Sequence, residues 1–496
     1  MKQPFRQGAV VLAVLALAGC AVGPDFHAPQ APAADSYTAS PLPSHTASTA
    51  VGGGAAQRFA FARNLSAQWW RLFRSPALDG LVKQGLADSP TLSSARAALR
   101  EARENLRAAS GTLLYPNADA SLQATRQRAA TQPAGGPHNE FNLYNASVNI
   151  SYTLDLAGGS RRQLEGLRAQ VDYQRYQFEA AYLSLSGNIV TTAIKEASLR
   201  AQIAATHAML AAEQKQLAVV QRQFQLGAVA RTAVLSQQSR RAQTRATLPP
   251  LEKQLAYTRH ALAVLVGRLP STKTLPRFQL DALALPRVLP VSLPSALVRQ
   301  RPDIRAAEAL LHRASAEVGV ATANLYPQIT LSGDYGSQAA RTGDLFNGQS
   351  VIWSVGAGLL QPLFHGGALS AKRRAAVAAY DQAAAQYRQT VLQAFQNVAD
   401  VLRALDADAQ GLRAQAAADT AARATLDLTQ RRFALGAVSY LSLLTARRDA
   451  QQARIHVITA RAQRYADTAA LFQALGGGWW NRHASAVDKA SKRNRD

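Results

Sequence analysis

The feature that most constrains this chain is the length of its uninterrupted helical pattern. From Gly159 to Leu226 there is no proline, and a helix of that extent, rising about 1.5 Å per residue, reaches on the order of 100 Å. A second such stretch lies further on. Val377, Ala384, Val391, Val398, Leu405 and Leu412 recur seven apart, with Tyr380, Tyr387, Ala394 and Val401 three positions after members of that series. A sustained period of about 3.5 residues keeps one seam facing a partner along its whole length, which predicts a coiled coil rather than an ordinary globular helix. Abundant alanine permits close helix approach. Each stretch is predicted to end at a glycine that can take positive φ, Gly227 or Gly436, and to return as another helix, the later one from about Tyr440 to Leu475.

The two stretches belong to an internal duplication. Leu114-Tyr115-Pro116 returns as Leu325-Tyr326-Pro327, Gly158-Gly159 with Arg161-Arg162 returns as Gly366-Gly367 with Lys372-Arg373, and Phe224 through Val229 returns as Phe433 through Val438. Three anchors in one order, at one spacing of roughly 210 residues, indicate two repeats. The predicted limits are 65–269 and 295–477. Between them the irregular connector 270–294 carries Pro270, Pro276, Pro286, Pro290 and Pro294, with Pro302 at the next helix start. Upstream, Leu78, Leu81, Leu86, Leu92, Leu99 and Leu106 mark a helical face, for which Asp79 and Ser89-Pro90 suit the starts.

Each repeat also carries strand candidates ahead of its helices. Ala146, Val148, Ile150, Tyr152 and Leu154 alternate with Ser147, Asn149, Ser151, Thr153 and Asp155. Val351, Trp353, Val355, Ala357 and Leu359 alternate with Ile352, Ser354, Gly356 and Gly358; Ile329, Leu331 and Tyr335 alternate with Thr330, Ser332 and Asp334; residues 119–128 are the weakest of the four. A membrane strand needs about 9–11 residues, and the smallest membrane barrels have about eight strands, so four per chain require several chains to close a barrel. Any one of these strands alone could equally be a soluble sheet edge. The repeats thus read as a strand hairpin (about 118–156, then about 328–364) followed by a helical hairpin (about 159–266, then about 367–475).

At the N-terminus, Lys2 and Arg6 precede an apolar run from Ala9 to Leu17 that closes on Leu17-Ala18-Gly19-Cys20. Residues 1–19 read as a signal peptide, too short to span a bilayer. Cys20, the single cysteine, follows Leu-Ala-Gly, so the segment resembles the bacterial lipoprotein box. That resemblance implies a diacylglyceryl group on the Cys20 thiol. It also implies sorting to the outer membrane, because Ala21 stands where Asp would favour retention in the inner one. Residues 20–64, rich in Pro, Ala, Ser, Thr and Gly, read as a lipidated flexible or extended tether, and 478–496 as a basic tail.

Composition narrows the class further. No later segment offers the roughly 18 apolar residues of a membrane helix, so a membrane crossing would use strands. The 55 Lys and Arg against 31 Asp and Glu give a net charge of +24. That excess invites a nucleic-acid reading, but the basic residues are scattered at helical spacing and form no recognisable motif, so no nucleic-acid partner is expected. No His-Glu-x-x-His, phosphate-cradling glycine loop or nucleophile elbow is present. No catalytic residue, metal site or cofactor is expected, and the chain does not read as an enzyme. A structural envelope tether would share the cysteine and the coiled coil but would not need duplicated amphipathic strands.

Taken in order, Cys20-Ala-Val-Gly-Pro-Asp-Phe26, Trp69-Trp70 with Leu78-Asp79, Leu297 through Glu308 running into Ala323-Asn-Leu-Tyr-Pro327, and Ala474-Leu-Gly-Gly-Gly-Trp479 resemble the TolC-like outer-membrane efflux factors. The likeness is to the lipoprotein branch, which serves tripartite exporters of drugs or organic acids. It implies an α+β membrane protein: a homotrimer whose four strands per chain make one twelve-stranded β-barrel, continued by a long α-helical coiled-coil barrel with a mixed equatorial region. It implies a passive duct anchored in outer-membrane lipid, extending into the periplasm and working with a periplasmic adaptor protein and an inner-membrane pump.

The resemblance also places candidate sites. The tips that meet the adaptor fall on Gly227, Ala228, Val229, Gly436, Ala437 and Val438. The periplasmic gate falls on Phe433, Leu441, Ser442, Thr445 and Arg448, with Leu441 as the constricting apolar position. Members of the family often carry acidic residues where this chain has Ser442 and Thr445. With Arg447 and Arg448 nearby, the expected aperture is less cation-selective than usual, or anion-tolerant.

Overall fold

In the computed structural model residues 21–63, 65–130 and 138–482 are described; the signal segment, Cys20 and the tail beyond Arg482 lie outside the described residues. In chain order the elements are strand β1 (Arg58–Phe61), a 3-10 helix (Trp69–Phe73), helices α1 (Pro76–Asp88) and α2 (Pro90–Leu114), and strands β2 (Asn117–Ala130) and β3 (His138–Leu154). Helices α3 (Gly159–Gln225), α4 (Arg231–Ala246) and α5 (Leu248–Leu265) follow, then strand β4 (Val288–Val291) and helices α6 (Pro294–Gln300) and α7 (Pro302–Ala323). Strands β5 (Gln328–Ala339) and β6 (Val351–Leu360) and helices α8 (Ala368–Ala434) and α9 (Tyr440–Ala474) complete the fold. Two compact units divide these elements, each drawing on both repeats: Ala98–Arg175 with Ala306–Arg388 and the chain up to Pro29 in one, and Gln30–Ala97, Tyr176–Arg305 and the chain from Gln389 in the other.

The first unit holds an antiparallel sheet in the order β2-β3-β5-β6. Its register sorts residues by polarity. Ala120, Val148, Tyr335 and Trp353 form one cross-strand row, and Leu154, Ile329 and Leu359 another. These rows stand on one face and are largely exposed, Tyr335 at 65%, Trp353 at 72% and Val355 at 82%. The other face is a polar ladder: the Ser121 and Ser147 hydroxyls lie 3.1 Å apart, Thr153 and Thr330 3.3 Å, and Ser354 Oγ donates to Asp334 at 2.9 Å. A slip of one residue in any strand would mix the two faces, so the sequence alternation sets the pairing. The stretch around 119–128, the weakest strand in the sequence, becomes the fourteen-residue β2 because β3 offers it an unbroken partner. β2 and β6 each have one edge unpaired among the described residues.

The second unit is helical, with a small parallel pair of β1 and β4. On α8 the buried row runs Val391, Ala394, Val398, Leu402, Leu405, Ala409, Leu412 and Ala416, stepping by three and four. Burying each leucine contributes about 1.5–3 kcal/mol. Val401, expected on this seam, is half-buried and Leu402 takes the place. An α-helix drifts about 20° per heptad against a strict 3.5 repeat, so the buried line moves to the next residue. No described helix is long and apolar enough to cross a membrane.

Two boundaries differ from expectation. The return leg of the first repeat is interrupted at Thr247. Pro249 and Pro250 lack the N–H groups that would bond the carbonyls of Arg245 and Ala246, and Thr247 instead donates its amide to Thr244 at 3.1 Å. At α1 the cap is Ser75, not Asp79: Ser75 Oγ accepts from the Leu78 amide at 3.3 Å, with Pro76 in the first turn. Asp79 binds side chains instead, accepting from Trp70 Nε1 at 3.0 Å, Arg71 Nε at 3.1 Å and Lys83 Nζ at 2.8 Å. Burial alone would raise its carboxyl, but these donors outweigh it and hold the pKa at about 2.

The segment read as a tether is bonded along its length. In the first unit Arg162, with 6% of its side chain exposed, donates to the carbonyls of Val22 and Gly23 and to Asp25 Oδ1. Phe26 stacks on His312 at 4.3 Å. In the second unit the fully buried Arg464 donates to the carbonyls of Gly53 and Ala55, to Thr46 Oγ1 and to Gln57 Oε1. A guanidinium presents five donors in a rigid plane, which suits several carbonyls of one extended strand.

Candidate functional site

Both long helices end on the same device. After α3 the Ala228 amide donates to the Gln223 carbonyl at 2.8 Å and the Gly227 amide to Phe224 at 2.9 Å; after α8 the Ala437 amide donates to Arg432 at 2.9 Å and Gly436 to Phe433 at 3.0 Å. Gly227 has φ +71° and Gly436 φ +70°, the left-handed conformation such a cap requires. A Cβ added at either would meet nothing within 4 Å. The need for glycine is therefore conformational, and the space around the turns is open. Ala228 and Ala437 are exposed, while Val229 and Val438 are half-buried. Leu226 and Leu435 stand out at 72% and 83% exposure.

Just behind the turns, Leu217 and Val220 of α3 and Val234 of α4 form a small core against which Val229, Ala233 and Tyr440 pack. The Tyr440 ring lies 5.6 Å from Phe433. Its hydroxyl donates to Gln237 Oε1, and burial pushes that phenol up to about 12, against the pull of Arg447 and Arg240. Gln237 Nε2 in turn donates to the Glu213 carbonyl at 3.2 Å, and Glu213 Oε1 accepts from Thr244 Oγ1 at 3.0 Å. Burial raises the Glu213 carboxyl despite Thr244 and the nearby arginines. Arg447 Nη2 donates to Gln216 Oε1 at 3.0 Å. α9 is thus stitched to α4 through Tyr440 and to α3 through Arg447.

The residues matched to a gate separate into two groups. Leu441, Thr445 and Arg448, at i, i+4 and i+7, share one exposed face of α9 with Ser442, whereas Leu443, Leu444 and Ala446 are buried on the other. Phe433 is not on that face; it is half-buried against Tyr440. Ser442 belongs to the helix cap, its amide donating to Ser439 Oγ at 3.2 Å. Arg447 and Arg448, adjacent in sequence, point about 100° apart around the helix: Arg447 turns in to Gln216, and Arg448 pairs with Asp449 at 3.0 Å. The exposed face therefore carries one arginine, and that one has a carboxylate partner.

Gln216, Gln237 and Glu213 carry no mark in the sequence, and Tyr440 is marked there only as a helix start. The available signal was a set of polar residues interrupting the apolar seam shortly before and after a turn glycine.

The description "Outer membrane efflux protein" fits a family model that matches residues 81–268 and 293–477. The chain belongs to this family. It is similar to the pyoverdine export outer membrane protein OpmQ of Pseudomonas aeruginosa, 31% identical over 83% of this chain and 87% of that protein. It is also similar to the outer membrane protein OprJ of the same species, 28% identical over 99% and 100%. Among solved structures, the outer-membrane channel OprN superposes with a TM-score of 0.84 at 28% identity, covering 93% of this chain and all of that one. This efflux protein is accordingly an outer-membrane channel subunit, and its relatives are channel proteins rather than enzymes.

Proposed function

We propose that three copies of this efflux protein close one twelve-stranded barrel in the outer membrane and that their helical hairpins continue it as a tunnel in the periplasm. The observation that carries this reading is the sheet β2-β3-β5-β6. One face is apolar and bare, the other is polar and internally hydrogen-bonded, and the outer edges of β2 and β6 have no partner strand among the described residues. In water such a face and such edges are liabilities; in lipid the face is solvated by acyl chains and neighbouring copies satisfy the edges. The chain is then the passive exit duct of a tripartite system, with a periplasmic adaptor and an inner-membrane pump supplying contact and energy. Relatives named for antibiotic efflux, toluene efflux and pyoverdine export support drugs or other small toxic compounds as cargo. Purified protein in detergent should have the mass of three chains and conduct in a planar bilayer; a non-conducting, folded single chain would overturn the reading.

The tips Gly227-Ala228-Val229 and Gly436-Ala437-Val438 are the adaptor contacts of this reading, supported by their open surroundings and exposed Leu226 and Leu435. The exposed face of Leu441, Ser442, Thr445 and Arg448 lines the aperture, with Phe433 bracing Tyr440 behind it. Lacking acidic side chains at Ser442 and Thr445, the aperture discriminates weakly for cations; strong cation selectivity in reversal potentials across a salt gradient would refute that. Cys20 carries the lipid anchor. Since strands hold the duct in the membrane as well, Cys20→Ala should lower sorting efficiency more than pore formation.

A further inference from the structure

A cavity of about 630 Å³ lies between α3, α9 and the connector residues 277–281, away from the tips and the gate face. Its floor is alanine: the α3 side chains lining it between residues 197 and 208 are alanines apart from Arg200, and Ile458 of α9 adds a buried apolar wall. Four arginines, one carboxylate, Gln279 and Leu280 line the remainder. Arg200 is committed to Glu196 at 2.8 Å and Arg461 to Asp281 at 2.6 Å. Arg277 and Arg454 have no ion-pair partner among the described residues. Arg461, only 8% exposed, has a buried Nε–H with no acceptor among the described residues.

We propose that this cavity binds a small aromatic carboxylate. The charge excess selects an anion. Guanidinium groups recognise carboxylates through paired N–H bonds and lie readily on aromatic faces, and a flat floor without branched side chains accepts a ring. The volume falls within the range of ligand pockets, roughly 300–1,000 Å³. The inference does not depend on the export reading, since it concerns equilibrium binding to the folded chain.

The test is titration of full-length, detergent-purified protein with 1-naphthoate by calorimetry. Saturable binding is expected, weakened at least tenfold, or about 1.4 kcal/mol, in the Arg277→Gln, Arg454→Gln double variant with its melting temperature unchanged. Ala201→Leu, which fills the floor and removes no charge, should also abolish binding, so the proposal stays testable if the double variant misfolds. Equal binding by wild type and both variants overturns it, as does equal affinity for 1-naphthylmethylamine. Tighter, variant-sensitive binding of a hexaglutamate peptide than of naphthoate would overturn the small-molecule assignment and give the groove to an acidic protein segment.

Discussion

The two helical hairpins share a turn and differ in what holds their legs together. Their glycine caps agree in φ to within a degree and in the pattern of bonds. In the first hairpin the fully buried Glu196 accepts from Arg200 at 2.8 Å and from Arg259 of the returning leg at 2.6 Å. Setting Phe224 on Phe433 places Leu405 opposite Glu196, and Leu405 is likewise fully buried but apolar. The first return leg breaks at Thr247, whereas α9 runs unbroken for 35 residues. Duplication has preserved the part that must adopt a rare backbone conformation and let the cohesion diverge, because an ion pair and a leucine seam can each satisfy the same helix spacing.

The largest test of this contrast is Glu196→Ala. Removing one partner of a buried ion pair costs up to about 3–5 kcal/mol, offset in part because Arg259 keeps the Pro276 and Leu275 carbonyls; chemical denaturation that registers less than about 1 kcal/mol would show that the ionic link is not what joins the first hairpin. The second hairpin has its own polar flaw. Burial, together with a hydrogen bond and repulsion from Asp467, raises the Asp408 carboxyl to about 8 against the pull of Arg464. Unfolded, the same group titrates near 4, so the folded state holds an extra proton between those values and stability falls as pH rises from about 4 to about 8. Asp408→Asn should flatten that slope and raise the melting temperature at pH 8 more than at pH 5.

Smaller effects are expected at the turns. Gly227→Val and Gly436→Val should each cost about 1–2 kcal/mol, since a branched residue is forced into the left-handed region. Equal losses support one shared device, and a large difference in melting temperature would break the equivalence. If the turns also meet an adaptor, both variants should impair drug resistance in cells while the purified assembly keeps its size. Replacing Pro249 and Pro250 by Ala should change stability by less than about 1 kcal/mol while giving a more regular leg, visible as added helix signal in circular dichroism.

How far the sequence could be read depended on whether a property repeats. The heptad of α8 and the alternation of β3 and β6 repeat every few residues, and the structure places helix and strands there. Pro249-Pro250 is equally visible, but the likeness to the second repeat leads to one continuous return leg and hides a local break. The bonds of Arg162 and Arg464 to the leading segment had no local trace: both are arginines among many, and four of their acceptors there, on Val22, Gly23, Gly53 and Ala55, are backbone carbonyls that any residue supplies. The exposed face of Leu441, Thr445 and Arg448 follows from helical spacing alone, yet nothing local told that Arg447 would turn inward to Gln216.

The tie between the leading segment and α9 bears on the timing of folding. Gln57 donates to Thr468, 411 residues later, and β1 pairs in parallel with β4. Secretion delivers a chain from its N-terminal end, so the residues that arrive first must wait for nearly the last helix before their polar groups are satisfied. Closing so long a loop is slow, and meanwhile the alternating strands are bare to solvent and open to mispairing. The polar groups of the leading segment are therefore satisfied only after α9 has been delivered.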